Sequence, residues 1–176
     1  DGTIDEVEAE RMLDHAIESG VTYIDTAYPY HDGESEPFVG RVLKKYKRED
    51  FYLATKLPMF KIDSLEQAKE IFEEQMKRLD VDYVDFYLLH ALNKDTWKKV
   101  IDLNIIPYCE ELKKQGRIKN FGFSFHDDYE VFEEIINYRD WDFCQIQLNY
   151  IDTDIQAGMK GYKLTEEKNV PLVIME

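Results

Sequence analysis

Residues 21–30 of this chain read V-T-Y-I-D-T-A-Y-P-Y, and the interpretation of the rest of the sequence depends on them. The first half is apolar and rich in β-branched residues, which is typical of a buried strand. The pattern turns polar at Asp25, and Pro29 breaks it into a loop that carries Tyr30. An Asp at the end of a single buried strand often does no more than bind loop amides. The strands that follow decide whether Asp25 does more.

The composition narrows the class of protein. The 176 residues are 44% hydrophobic and 14% aromatic, which indicates one globular domain. The net charge of −15 disfavours nucleic acid and anionic membranes as partners, because phosphate binding needs clustered Lys and Arg. No segment reads as a transmembrane helix or a signal peptide, so we expect a cytoplasmic protein. Cys109 and Cys144 lie among apolar neighbours and lack C-x-x-C spacing, which predicts buried free thiols.

Six apolar segments alternate with amphipathic helical segments along the chain. The first predicted strand begins at residue 21, and the others span residues 51–57, 83–89, 118–124, 143–148 and 171–175. Such alternation is typical of a parallel α/β protein. It leaves two architectures open, a doubly wound open sheet and a (β/α)8 barrel.

Helix boundaries are predicted from capping residues and glycines. Thr3 and Glu6 form a capping-box pattern that begins a helix over residues 3–17. Ser35 is the predicted N-cap of the next helix. Between the fifth and sixth strands, Gly158 and Gly161 weaken the helical pattern, so a helix there is not firmly predicted.

A polar residue ends each of five consecutive strands. These residues are Asp25, Lys56, His90, Ser124 and Gln145. Lysine and histidine after an apolar run are costly to bury without a partner. In a barrel the strand ends converge on one mouth, where active sites lie, whereas in an open sheet they are spread along an edge. No G-x-G-x-x-G follows any strand, and the sequence therefore favours the barrel.

The polar set suits proton donation to a carbonyl group. Asp25 and Lys56 carry opposite charges that can pair in the mouth. An ammonium beside a phenol stabilises the phenolate, so Tyr30 next to Lys56 can give its proton to a developing alkoxide. His90 can orient the carbonyl oxygen or relay the proton. No metal is predicted, because neither H-x-x-x-H nor clustered acidic spacing occurs, and no G-x-S-x-G elbow is present.

Three motifs in order resemble the aldo-keto reductases: D-T-A-Y-P-Y at 25–30, A-T-K at 54–56 and Y-L-L-H at 87–90. The resemblance implies a (β/α)8 TIM barrel and a catalytic tetrad of Asp25, Tyr30, Lys56 and His90. In that family the Tyr is the proton donor, the Lys facilitates proton release and the Asp pairs with the Lys. The His helps to position the substrate.

The resemblance extends to the cofactor, which would be NADP or NAD. Ser124 in F-G-F-S-F-H and Gln145 in C-Q-I-Q-L-N-Y match residues that bind the nicotinamide carboxamide. Phe125 replaces the family's usual Asn. Met175 falls at the position of an aromatic residue that stacks on the nicotinamide, and Asp25 completes the implied cofactor-binding set.

Six strands correspond to the second to seventh strands of such a barrel. We therefore expect residues 1–176 to form a single partial barrel, with the first and eighth strands outside the chain. The runs Y-L-L-H-A-L-N and V-I-M-E resemble a microbial branch whose members often carry a ferredoxin-like 4Fe-4S domain after the barrel. None of that domain's cysteines is in this sequence.

The leading hypothesis is NAD(P)H-dependent reduction of an aldehyde or ketone to an alcohol, with Tyr30 as general acid. The substrate is expected to be a small molecule whose identity the sequence does not reveal. One alternative is a non-catalytic nicotinamide-nucleotide-binding or sensor subunit on the same fold. The other is an aldolase that forms a Schiff base through Lys56.

Overall fold

The computed structural model describes residues 3–175, and over this range six strands alternate with helices. The strands are β1 (Tyr23–Asp25), β2 (Tyr52–Leu57), β3 (Val84–Leu92), β4 (Ile118–Phe125), β5 (Phe143–Gln147) and β6 (Leu172–Met175). The helices are α1 (Glu6–Glu18), α2 (Ser35–Leu43), α3 (Leu65–Leu79), α4 (Lys94–Asp102), α5 (Ile105–Lys114), α6 (Tyr129–Tyr138) and α7 (Gly158–Lys168). Short 3₁₀ helices lie at Tyr30–Gly33, Arg48–Asp50 and Met59–Lys61. None of the helices described is long and apolar enough to cross a membrane.

The strands form one parallel sheet in the order β1-β2-β3-β4-β5-β6. A doubly wound sheet reverses its strand order at a switch point, and this order has no reversal over residues 3–175. The sheet also curls, as is seen from Gln145 on β5, which lies 3.5 Å from the Asp25 carboxylate on β1. In a flat sheet these strands would be about 19 Å apart, at four strand spacings. The fold is an incomplete (β/α)8 barrel, as predicted.

Strand side chains alternate between two separate cores. Those on the outer face pack against the helices in the larger core, which includes Leu53, Leu57 and Leu89. Those on the inner face form a small cluster of Ala54, Leu88 and Phe143, bordered by Tyr23, Phe86 and Val173. Because side chains repeat their direction every second residue, the next inner position on each strand is a predicted site residue. These positions are Asp25, Lys56, His90, Gln145 and Met175.

The start of α1 differs from the prediction. The N-cap is Asp5, whose carboxylate accepts a hydrogen bond from the Glu8 backbone N–H at 3.2 Å, so the capping box of Thr3 and Glu6 is wrong. Both Thr and Asp suit an N-cap, and a sequence pattern does not distinguish two good caps only two residues apart. The helix that follows is amphipathic but has no fully buried residue.

The start of α2 is shifted by one residue. Glu34 is the N-cap and Ser35 is the first helical residue. The Ser35 hydroxyl instead shares a 2.8 Å hydrogen bond with that of Thr26, the residue after β1. This bond joins the beginning of α2 to the end of the strand that carries Asp25.

Helix α7 forms despite its two glycines. It spans Gly158–Lys168, which corrects the expectation that Gly158 and Gly161 would disrupt it. A side chain at Gly161 would put its Cβ 3.3 Å from the Phe132 ring on α6 and 2.6 Å from the Ala157 Cβ. The glycine therefore permits close packing of α7 on α6, which offsets its low helix propensity.

Both cysteines are free and buried, as predicted. Burial raises the pKa of the Cys144 thiol to about 12, and burial raises that of Cys109 as well. Both thiols are therefore protonated at neutral pH and serve as apolar packing groups.

Candidate active site

Lys56 is the centre of the candidate site. It lies on the inner face of β2 and is 1% exposed. Its ammonium forms an ion pair with the Asp25 carboxylate and donates hydrogen bonds to the Thr26 carbonyl at 2.9 Å and the Tyr30 hydroxyl at 3.3 Å. All three of its N–H groups thus have acceptors, which compensates for burying the charge. The sequence-predicted pairing of Asp25, Lys56 and Tyr30 is present in the structure.

Tyr30 is presented by a tight turn after β1. Its backbone N–H donates to the Ala27 carbonyl at 3.1 Å, and a 3₁₀ helix begins at Tyr30 itself. His31 and Asp32 adopt left-handed φ values of 51° and 55°, which reverse the chain toward α2. The side chain of Tyr30 is 38% exposed. One side of the phenol therefore faces the mouth of the barrel while its hydroxyl contacts Lys56.

Tyr28, two residues earlier, points elsewhere. Its hydroxyl donates to the Glu74 carboxylate on α3 at 2.8 Å, and the Arg78 guanidinium lies 4.2 Å from its ring centroid. Motif spacing alone favours Tyr30 over Tyr28 as the acid, and the geometry supports the same choice. Of the two phenols, it is that of Tyr30 that contacts the Lys56 ammonium.

His90 lies beside Tyr30 in the candidate site. Its ring packs edge-on against Tyr30 with centroids 5.7 Å apart, and the Phe60 ring lies 5.7 Å away on another side. Burial lowers the pKa of His90 to about 3, and electrostatic interactions with Lys56 and His126 act in the same direction. The imidazole is therefore neutral at physiological pH. Its Nδ1 atom is buried and has no hydrogen-bond partner within residues 3–175.

We expect His90 to remain neutral when ordinary histidines titrate. Its NMR resonances should show no titration between about pH 5 and 8, the range in which an unperturbed imidazole gains its proton. Below about pH 6.5 the unfolded chain binds a proton that the folded chain excludes, so His90 lowers the free energy of unfolding as pH falls toward 3. His90→Gln should remove this part of the pH dependence. A His90 resonance with a midpoint near neutrality would contradict the expectation.

Ser124 and Gln145 extend the site across β4 and β5, where they are paired in register. The Ser124 hydroxyl accepts a 2.8 Å hydrogen bond from the Ala91 N–H, and Ala91 has a left-handed φ of 52° at an irregularity of β3. This bond leaves the Ser124 hydroxyl hydrogen free to donate. The Gln145 Oε1 atom is buried without a partner in the described part of the chain.

The structure also describes two other positions that the family resemblance links to the cofactor, Met175 and Phe125. Met175 lies at the end of β6 opposite Gln147, and its carbonyl accepts the Leu148 N–H at 3.2 Å. Its position on the inner face is compatible with its predicted role, which stays a prediction. Phe125, which replaces the family's Asn, packs edge-on against Phe132 in the outer core.

Tyr23 and Phe60 also border the site, although the sequence interpretation did not select them. The Tyr23 hydroxyl lies 3.4 Å from the Asp25 carboxylate, and burial raises the pKa of this phenol. Tyr23 could have been found by its strand parity, since it is two residues before Asp25. Phe60 lies in the 3₁₀ helix after β2, and no local pattern connects it with His90.

Fold and geometry together define an incomplete (β/α)8 barrel with a phenol, an ammonium, a carboxylate and a neutral imidazole at the carboxyl ends of its strands. All residues of the chain, 1–176, match the model of the aldo/keto reductase family. The chain belongs to this family.

Relatives support the same placement. The uncharacterized oxidoreductase YqkF of Bacillus subtilis (strain 168) is 37% identical over 122 residues, which are 64% of this chain and 38% of YqkF. The NADH-specific methylglyoxal reductase of Escherichia coli (strain K12) is 28% identical over 155 residues, 76% of this chain and 45% of that enzyme. This chain therefore spans less than half the length of either relative.

A solved structure shares the fold. The aldo-keto reductase AKR11C1 from Bacillus halodurans, in its holo form, superposes with a TM-score of 0.81 and 31% sequence identity. The match covers 98% of this chain and 58% of that one. The partial barrel described here thus corresponds to part of a larger reductase barrel.

Proposed function

We propose that this chain forms the catalytic part of a nicotinamide-dependent carbonyl reductase in which Tyr30 is the general acid. The observation that carries the proposal is the Lys56 ammonium placed between the Asp25 carboxylate and the Tyr30 hydroxyl, 3.3 Å from the latter. When Tyr30 gives its proton to a carbonyl oxygen, the negative charge left on the phenol oxygen is stabilised by this ammonium. Asp25 pairs with Lys56 and orients its ammonium toward the phenol.

His90 acts as an orienting group in this proposal. A neutral imidazole carries one N–H, which can donate to the substrate carbonyl oxygen beside the Tyr30 hydroxyl. Because burial lowers the pKa of His90 to about 3, the ring lacks the second, acidic proton at neutral pH, and its one remaining N–H is too weakly acidic to be transferred. The transferred proton is therefore assigned to Tyr30.

The residues at the ends of β4 and β5 fit a nicotinamide carboxamide. A buried amide oxygen without a partner costs about 1–3 kcal/mol, and the carboxamide N–H groups are suitable donors for Gln145 Oε1. The Ser124 hydroxyl can donate to the carboxamide oxygen. A bound nicotinamide supplies the hydride, and the chain contributes the proton and the binding groups.

The proposal also suggests which substrates to test first. The E. coli relative is named an NADH-specific methylglyoxal reductase, and methylglyoxal is a small dicarbonyl compound. In this chain the carbonyl would lie between Tyr30 and His90, with Phe60 as an exposed apolar wall. Small aldehydes, ketones and dicarbonyls are therefore the proposed substrate class.

An assay of the full-length protein tests the proposal. With NADH or NADPH and a panel of aldehydes, ketones and methylglyoxal, we expect oxidation of the cofactor and an equal amount of alcohol product. Nicotinamide binding without turnover across the whole panel would contradict the proposal and favour the non-catalytic sensor. The cytoplasmic location and the cluster-bearing domain are separate predictions that this assay does not address.

The aldolase alternative is disfavoured by the state of Lys56. An ammonium that is paired with Asp25 and donates three hydrogen bonds has no free electron pair to attack a carbonyl carbon. Borohydride treatment with a carbonyl ligand should therefore leave Lys56 unmodified.

A further inference from the structure

A buried polar network lies behind Lys56, between the outer face of β2 and helices α2 and α3. Its centre is Glu36 on α2, which is 0% exposed. Its Oε1 atom accepts hydrogen bonds from the Thr55 hydroxyl at 2.6 Å and the Gln75 amide at 2.8 Å. Burial raises the pKa of Glu36, and hydrogen bonds from Thr55, Gln75 and Arg78 oppose that shift. A fully buried carboxyl group is costly, so its retention here calls for an explanation.

One branch of the network, the strand arm, reaches the backbone of Lys56. The Gln75 amide nitrogen lies 3.0 Å from the Lys56 carbonyl oxygen. The other end of the Gln75 side chain accepts a 2.8 Å hydrogen bond from the Tyr87 hydroxyl on β3. Glu36 and Gln75 therefore stabilise β2 at the residue that carries the ammonium.

A second branch, the loop arm, reaches the segment that carries Tyr30. Arg78 Nη1 lies 3.5 Å from Glu36 Oε2 and 3.4 Å from the Tyr28 carbonyl oxygen. The same guanidinium covers the Tyr28 ring and forms an ion pair with Glu74 at 2.7 Å. Glu36 Oε1 thus belongs to the strand arm, and Glu36 Oε2 belongs to the loop arm.

Close packing of α2 against α3 fixes the position of the strand arm relative to the loop arm. At Gly40 on α2, a Cβ atom would lie 2.6 Å from the Arg78 carbonyl oxygen on α3. The two helices approach so closely that neither can slide without a clash. Glu36 and Arg78 therefore belong to one rigid unit behind the site.

We propose that Glu36 is a positioning residue that fixes the Tyr30 loop relative to the Lys56 strand. This inference rests on the proposed function, in which the 3.3 Å contact between these two side chains is essential for proton transfer. Glu36 touches neither group directly and acts through Gln75, Arg78 and the backbone. A displacement of about 1 Å at a reacting group can lower the rate about 100-fold, so a small movement of the loop is enough to matter.

Glu36→Gln in the full-length protein is the first test. The glutamine amide has one oxygen and one NH2 group. In either orientation of the amide, the donors of one arm therefore face an N–H group where Glu36 has a carboxylate oxygen. We expect kcat to fall about 10- to 100-fold, with little change in the KM for the nicotinamide cofactor. In a crystal structure of the variant, the distance between Lys56 Nζ and the Tyr30 hydroxyl should increase.

Asp85→Asn provides the matched control. Asp85 is another buried carboxylate that stabilises β2, since it accepts the Leu53 N–H at 2.9 Å and pairs with Arg48 at 2.5 Å. It lies near the beginning of β2, at the end away from the site. Its replacement should lower the melting temperature but leave kcat and the Tyr30 position unchanged.

Arg78→Met gives a second variant if Glu36→Gln does not fold, because Arg78 is partly exposed and its loss cuts the loop arm alone. Unchanged kcat and an unchanged distance from Lys56 to Tyr30 in either variant would overturn the proposal. Equal losses of kcat in Glu36→Gln and Asp85→Asn would also overturn it, since they would indicate general destabilisation. The distance can be measured even if the wild-type protein reduces no carbonyl, so the positioning role and the reductase function fail separately.

Discussion

Replacing Tyr30 by Phe should lower kcat for carbonyl reduction between about 100- and 10,000-fold, the contribution of a positioned general acid. The phenylalanine ring can keep the edge-on contact with His90 and loses only the hydroxyl that Lys56 contacts. Because Tyr30 is 38% exposed, we expect little change in stability. Affinity for NADH or NADPH, measured by fluorescence titration, should also be retained.

Tyr138→Phe is the control for this substitution. Tyr138 is an exposed phenol at the end of α6 that packs against Trp97, remote from the strand ends. The Tyr138→Phe variant should reduce carbonyls at the wild-type rate. If Tyr30→Phe kept full turnover, Tyr30 would not be the acid and the proposed mechanism would be wrong.

Lys56→Met should abolish turnover and also destabilise the fold. Methionine has a similar length but cannot stabilise a phenolate, so kcat should fall at least as far as in Tyr30→Phe. Asp25 is left without its cation, and its side chain is 27% exposed. The loss in free energy of unfolding should therefore be about 2 kcal/mol, between the values for exposed and buried ion pairs. Urea denaturation of the two proteins measures this difference.

The double variant Asp25→Asn with Lys56→Met separates catalysis from stability. Removing both charges eliminates the unpaired carboxylate, so most of the lost stability should return. Activity should stay absent, because the ammonium beside Tyr30 is still missing. Recovery of turnover in the double variant would show that Lys56 serves only to neutralise Asp25.

Much of the fold could be predicted because strand signals are local. The apolar runs located all six described strands to within a few residues, and the polar residues that follow these runs indicated which strand ends carry the candidate site. Helix boundaries were less certain. Asp5 rather than Thr3 caps α1, and Gly161 permits packing against Phe132 rather than disrupting helix α7. The first outcome reflects two suitable caps only two residues apart, and the second depends on Phe132, a distant neighbour that a local pattern does not contain.

The candidate site was predictable to the extent that it follows strand ends. The motifs containing Asp25, Tyr30, Lys56 and His90 occur in order on successive strands, and the structure brings these four side chains together. Their catalytic roles remain proposals. Glu36 was missed because its hydrogen bonds join residues 19 and 39 positions apart in the chain. No spacing rule relates such distant residues.

The sequence by itself determined the positions of the six described strands and the chemical groups available at their ends. These properties depend on local periodicity and residue type, which the chain carries at each position. Only the tertiary structure decided that β5 curls back to put Gln145 beside Asp25, that Tyr28 faces α3 while Tyr30 faces Lys56, and that His90 is neutral. Distances between remote segments and the burial of charge arise from packing, and packing exists only once the chain has folded.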